Sequence, residues 1–213
     1  MSEAIYFFGS GGHAKVIIDI ANRLDKHILG LLDDNQTLWG TQFYRQEVLG
    51  GSEFVNTIAK DASFIISIGS NLMRMKFDTL LKNHGHSFAT LIHPESTFSP
   101  TVTIKEGTVV MAGTVINSDV LIGRHCIINT QASIDHDCII DNFVHIAPGV
   151  TICGSVSVAE GTIIGAGSTI IPGVQIGKNC IIGAGSIILN DIPDNCTVIG
   201  NPGKILNRVK NEK

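Results

Sequence analysis

His136 stands between two carboxylates, Asp135 and Asp137. A neutral imidazole near its unperturbed pKa takes a proton at pH 7, and a neighbouring carboxylate fixes its tautomer and raises its basicity. Adjacent residues of an extended strand face opposite ways, so the spacing leaves both acids open as the partner. The plain alternative is a solvent-facing histidine. A second group is Gly9-Ser10-Gly11-Gly12-His13, which follows an apolar run and precedes helical spacing. Such a turn aims free backbone N–H groups from a helix N-terminus, which suits phosphate. Asp33-Asp34 closes a second apolar run and Gly69-Ser70-Asn71 a third. Carboxylates at that place accept hydrogen bonds from a ribose or a base. GSGGH lacks the full GxGxxG spacing, and two acids after a strand also make an ordinary solvated loop. The signal lies in three turns converging on one edge.

The elements that must hold these residues follow two rules. Up to residue 92 the chain reads as strand Ala4–Phe8, a helix over Ala14–Leu24 (apolar at Val16, Ile17, Ile20 and Leu24) and strand His27–Leu32. A short helix over Ser52–Ile58, strand Phe64–Ile68, a helix over Leu72–Leu81 and strand Ser87–Ile92 complete it. That order predicts an α/β domain over 1–92, a small parallel Rossmann-like sheet with helices over it.

From Phe98 to Ile188 every sixth residue is Phe, Val or Ile, sixteen in succession, and four places after each anchor stands a small or β-branched residue. A period of six is neither helical nor a plain strand alternation; it marks a stacked repeat. Three hexads close one coil of a triangular prism, giving about five coils of a parallel β-helix over 93–213. The anchors form the inner column, and Gly, Asn and Asp fill turns that need φ > 0. Cys126, Cys138 and Cys180 occupy the small inward position and read as packing residues, not disulfides or ligands. His125, in Gly123-Arg124-His125, reads as a surface residue of a charged turn.

Composition sets broad limits. The 213 residues carry 15 Lys and Arg against 19 Asp and Glu, a net charge of −4, with no basic cluster, so no nucleic-acid partner is expected. Apolar stretches are far too short to span a membrane. The start, MSEAIYFFGSGG, reads as a strand rather than a signal peptide. Five cysteines without a CxxC argue against a zinc site, and the cytoplasm is the expected compartment.

A domain opening with GSGGH, an acidic pair after its second strand, IGSN after its third and an uninterrupted hexad repeat resemble the nucleotide-sugar N-acetyltransferases. These belong to the hexapeptide-repeat acyltransferases, in the branch grouped with sialic-acid O-acetyltransferases. The segment Asn129-Thr130-Gln131-Ala132-Ser133-Ile134-Asp135-His136-Asp137 narrows the resemblance to this branch. It implies a left-handed β-helix, against the usual right-handed crossover preference. It also implies acetyl transfer from acetyl-CoA to the 4-amino group of a UDP-linked 4-amino-4,6-dideoxy sugar, in bacterial glycan or surface polysaccharide synthesis. His136 is then the catalytic base, Asp137 its partner and Asn129 a further active-site residue. The nucleotide sugar falls to Gly11, Gly12, His13, Asp33, Asp34 and Gly69. Acetyl-CoA falls to His145, at the thioester carbonyl, and to Gly165-Ala166 and Gly183-Ala184, where small residues would let it approach the main chain. The family is a homotrimer with the cofactor in the groove between neighbouring rods. No metal is implied.

Two other functions fit parts of the pattern: an O-acetyltransferase of sialic acid or another sugar hydroxyl, and a non-catalytic trimeric nucleotide-sugar-binding protein. His136-Asp137 speaks against the latter, and GSGGH with the acidic pair favours a nucleotide-linked substrate.

Overall fold

The apolar runs before Pro94 assemble into one sheet. The structure, a computed structural model, describes residues 4–208. Contacts divide the chain into two units, Met1–Pro94 and Glu95–Lys213. In the first, β1 (Ala4–Phe8), β2 (His27–Leu32), β3 (Gln42–Phe43), β4 (Gln46–Gly50), β5 (Ser63–Ile66) and β6 (Ser87–Phe88) lie in the order β3-β4-β2-β1-β5-β6. All neighbours are parallel except the β3–β4 hairpin. α1 (Gly12–Arg23) buries Ala14, Ile17, Ile18, Ile20 and Ala21, a spacing that puts them on one helical face. α2 (Asn71–Asn83) lays Phe77 on Phe8, with ring centroids 4.0 Å apart.

Several boundaries differ from the expected ones. α1 begins at Gly12, and Gly11, its N-cap, has an ordinary φ of −89°. The glycine that the turn requires is Gly9: its φ is +110°, and a β-carbon there would lie 2.5 Å from Ile68 Cγ1. The β3–β4 hairpin gave no signal because its turn is Tyr44-Arg45, at φ 47° and 66°, rather than Asn-Gly. Tyr44 Oη instead donates to the Asp19 carboxylate at 2.9 Å, tying the hairpin to α1. The strand expected over Ser87–Ile92 is two pieces, Ser87–Phe88 and Leu91–Ile92.

The second unit is a parallel β-helix. From Thr97–Phe98 to Ile187–Ile188 each strand is a dipeptide whose second residue is the anchor. Through Ile170 each pairs in parallel with the strand eighteen residues later, as Val115 with Ser133. Eighteen residues are three hexads, one coil. The last coil is shorter, Ile181 pairing with Thr197 of the strand Cys196–Ile199, against which Lys204–Arg208 runs antiparallel. Every anchor from Val110 to Ile188 is at most 2% exposed. The small inward position is fully enclosed too, which raises the question of its polar members. Thr108 Oγ1 donates to Gly123 O at 2.8 Å, Thr162 Oγ1 to Gly177 O at 2.7 Å and Ser168 Oγ to Gly183 O at 3.0 Å. Threonine and serine fit there because the next corner offers a carbonyl. Cys126 and Cys138, with free thiols, point at Asp141 O and Cys153 O in the same way.

The turns divide glycine's two uses. Positive φ recurs at every third residue after an anchor, from Gly107 to Gly185, and seven of these residues are not glycine: Asp119, His125, Gln131, Asp137, Phe143, Ser155 and Asn179. Glycines directly after an anchor serve close approach, for a β-carbon on Gly123 would lie 2.6 Å from Asn142 N. His125 is not on the surface. It is fully buried, its ring stacked on Phe143 at 5.2 Å and 10°, with the bare Cα of Gly107 on its other side. These three residues are spaced by one coil each, so the sandwich is invisible in the local sequence Gly123-Arg124-His125.

Candidate active site

The turn after Ser133–Ile134 carries the acid–base group. His136 Nδ1 lies 2.8 Å from Asp137 Oδ2, and the two side chains are 57% and 60% exposed. Asp137 reaches the ring because its φ is 59°, which turns the carboxylate back along the chain. Asp135 does not compete for the imidazole. Its Oδ1 accepts from the His136 backbone N–H at 2.9 Å and from Asn117 Nδ2 at 2.8 Å, one coil away. The hydrogen bond to Asp137 and the Asp135 charge hold the His136 pKa above the ordinary histidine value of 6.5. The Asn117 hydrogen bond, then that of the His136 amide, push the Asp135 pKa below its ordinary value. His136 thus has Nδ1 held by a carboxylate on a side chain more than half exposed, the arrangement of a general base.

Asn129 and His145 make a second pair. Asn129 Oδ1 accepts from the Thr130 N–H at 2.8 Å, which sets the amide so that Nδ2 faces His145 Nε2 at 3.3 Å. The strand Ser133–Ile134 separates this corner of the rod from that of His136. The two pairs therefore stand on successive corners.

The glycines expected at acetyl-CoA lie hard against the next coil. β-Carbons on Gly165 and Gly183 would lie 2.6 Å from Ala184 N and 2.7 Å from Ile199 Cγ2. Their lack of a side chain admits the next coil. Ala166 and Ala184 are exposed.

In the first unit three turns do meet at the carboxyl edge of the sheet. Gly9 N donates to Leu32 O at 2.7 Å, and Ser67 N to Phe8 O at 2.8 Å. A cavity of about 120 Å³ there is lined by Phe8, Gly9, Asp33, Asp34, Ile68 and Met73, among others. Gly11, Gly12 and Gly69 border open space on their side-chain side, and His13 is half-buried in the first turn of α1. The two acids already hold the edge together. Asp33 Oδ2 accepts from Ser10 N at 2.9 Å and Ser10 Oγ at 2.6 Å, while Asp34 Oδ1 accepts from the backbone and hydroxyl of Ser52, both at 2.8 Å. Arg74, 1% exposed, escaped the sequence reading. It donates to Gly69 O at 2.9 Å, Ile68 O at 3.2 Å and Asn71 Oδ1 at 2.7 Å, fixing the third turn. An arginine among helical residues looks like a solvated face; only its burial reveals it. A larger groove of about 480 Å³ on the rod, lined by residues such as Ile139, Gln175 and Asp194, holds none of the expected site residues.

Known proteins share both units. Residues 4–79 match the PglD N-terminal domain, and residues 155–190 match the bacterial transferase hexapeptide (six repeats). Perosamine N-acetyltransferase from Caulobacter crescentus, solved as a histidine mutant with CoA and GDP-perosamine, is 34% identical with a TM-score of 0.90. The match covers 96% of this chain and 97% of that one. The chain belongs to the nucleotide-sugar N-acetyltransferases of the hexapeptide-repeat superfamily. Its rod is accordingly a left-handed β-helix. The acetyltransferase domain of PglB from Neisseria gonorrhoeae FA1090, in complex with acetyl coenzyme A, is 32% identical with a TM-score of 0.90, over 97% of this chain and all of that domain. UDP-N-acetylbacillosamine N-acetyltransferase of Bacillus subtilis (strain 168) is 39% identical over 107 residues, about half (49%) of each chain. The stretch shared with the curated relatives thus spans half their length or less. No helix among the described residues is long and apolar enough to cross a membrane.

Proposed function

We propose that this N-acetyltransferase moves the acetyl group of acetyl-CoA to the 4-amino group of a UDP-linked 4-amino-4,6-dideoxy sugar of the bacillosamine type, for bacterial glycan or surface polysaccharide synthesis. The observation that carries the reading is His136, exposed on a hexapeptide rod with Nδ1 held by Asp137 at 2.8 Å. The sugar amine attacks the thioester carbonyl carbon and a C–N bond forms. His136 Nε2 takes the proton from nitrogen. The tetrahedral intermediate collapses with cleavage of the C–S bond, and the thiolate of CoA leaves and is protonated. Asn129 and His145 face the thioester carbonyl, and the exposed Ala166 and Ala184 border the pantetheine. The base of the nucleotide enters the 120 Å³ cavity, a volume suited to one ring system, and the phosphates lie over Gly11, Gly12 and Gly69. The five cysteines are all free, which supports a cytoplasmic setting.

The relatives solved with CoA, acetyl-CoA and GDP-perosamine support both ligands, and the Bacillus relative supports uridine as the base. A thiol-release assay with UDP- and GDP-linked 4-amino sugars, and with the free amino sugar, tests the reading. UDP should also raise the melting temperature more than GDP or CMP, by the mass action of a ligand held only by the folded chain; at a hundred times its Kd the gain is about 2.7 kcal/mol. Equal turnover of the free sugar together with no shift from any nucleotide would remove the nucleotide from the substrate. A larger shift from GDP would move the assignment to that base.

The two site pairs on successive corners support a homotrimer in which His136 of one rod works beside Asn129 and His145 of its neighbour. Leu121 and Ile139, paired across adjacent coils, are 48% and 49% exposed on a flat face that such packing would cover. Light scattering at micromolar concentration should give three chains per particle; a monomer would dismantle the shared site.

A further inference from the structure

Gly154 follows His136 by eighteen residues and so occupies the same place one coil further along. Ser155 N donates to His136 O at 2.9 Å across that step. A β-carbon on Gly154 would lie 2.6 Å from His136 Cε1, 2.7 Å from Nε2 and 3.2 Å from Nδ1. The nearest neighbours are therefore all atoms of one imidazole, which lies across the bare Cα. The chain itself does not need a glycine there, for its φ lies outside the left-handed region. Gly149, Gly167, Gly173 and Gly185 are the opposite case, with φ between 66° and 77° and nothing within 4 Å of the missing side chain. Those glycines serve the backbone. Gly154 serves the ring.

We propose that Gly154 is a positioning residue of the transfer reaction: its missing side chain is the seat on which the His136 imidazole rests while Asp137 holds Nδ1. The proposal rests on His136 acting as the base. The three atoms nearest a methyl group at 154 all belong to the end of a side chain that is 57% exposed and free to swing into water. The ring gives way, and its 2.8 Å bond to Asp137 breaks with it. Gly123 is the contrast, because a β-carbon there meets Asn142 N and Asp141 C, which are main chain. Alanine should cost stability at 123 and catalysis at 154.

Gly154→Ala should melt close to the wild type, keep its KM for acetyl-CoA and lose about a hundredfold in kcat, the scale of a reacting group misplaced by an ångström. The His136 imidazole, followed by NMR, should titrate at a lower pH than in the wild type, since the hydrogen bond that raises its pKa is gone. Placed on His136→Ala, the Gly154 change should have no further effect on the residual kcat. Gly123→Ala should lower the melting temperature and leave the His136 titration in place. A wild-type kcat and titration in Gly154→Ala, or the same fold-loss on the His136→Ala background, would overturn the seat. Should Gly154→Ala not fold, the double variant with His136→Ala should, because the obstructing ring is absent; a double variant that also fails to fold overturns the proposal. His136→Ala with wild-type kcat would instead refute the base, and the NMR titration would still read the seat by itself.

Discussion

His136→Ala is expected to lower kcat by about a hundredfold to ten-thousandfold, the usual range for a lost general base. Activity should not vanish, because bound amine and thioester stay aligned and water or buffer can accept the proton. The wild-type rate should rise with pH, since only the neutral imidazole is a base. The Asp137 hydrogen bond and the Asp135 charge raise its pKa, so the midpoint of that rise lies above the ordinary histidine value. Asp137→Asn leaves an oxygen that can accept from Nδ1 but takes the negative charge out of that hydrogen bond, and should move the midpoint down while costing less kcat than His136→Ala. Asp135→Asn should move it down as well, by a purely coulombic route. His136 and Asp137 are both more than half exposed, so neither change should disturb folding. The checks are pH profiles of kcat/KM for the four proteins, with melting temperatures alongside. A His136→Ala enzyme with a wild-type profile would move the base to another residue.

Arg74→Ala is expected to be the most damaging single change in the first unit. Its guanidinium, 1% exposed, donates to two carbonyls and one amide oxygen around residues 68–71. Hydrogen bonds to a charged group contribute about 1.5–3 kcal/mol each, and two of the three acceptors lie on the turn that borders the cavity. A loss of roughly 3 kcal/mol or more should appear in urea unfolding of the first unit. The KM for the nucleotide sugar should rise and that for acetyl-CoA should hold, because the turn of Gly69 lies on the edge proposed for the nucleotide and not on the rod. Lysine in its place keeps the charge but not the fork, and should recover only part of the stability. An unchanged unfolding midpoint would show that water replaces the guanidinium without cost.

The sequence alone determined what rests on period and on short-range chemistry. Sixteen anchors six apart specify a stacked triangular coil, and the fourteen from Val110 to Ile188 are enclosed, while Phe98 and Ile104 in the first coil are exposed and half-buried. The alternating strands and helices before residue 94 likewise specified a parallel sheet with its turns on one edge. Tertiary structure decided what depends on the neighbour one coil away. His125, polar and beside an arginine, is buried because Phe143 and Gly107 sandwich it, and no local pattern shows a partner eighteen residues off. The same offset pairs Asn117 with Asp135, which takes that acid from His136 and leaves Asp137 as its partner. It also lays Gly183 and Ala184 of the next coil against Gly165. Asp33, read as a ligand for ribose, also staples Ser10 to the end of β2, a bond between residues far apart in sequence that exists only once the strands pair. Strand and coil are properties of a repeating backbone, which a sequence displays; which side chain meets which is a property of stacking, which appears only when the coils close.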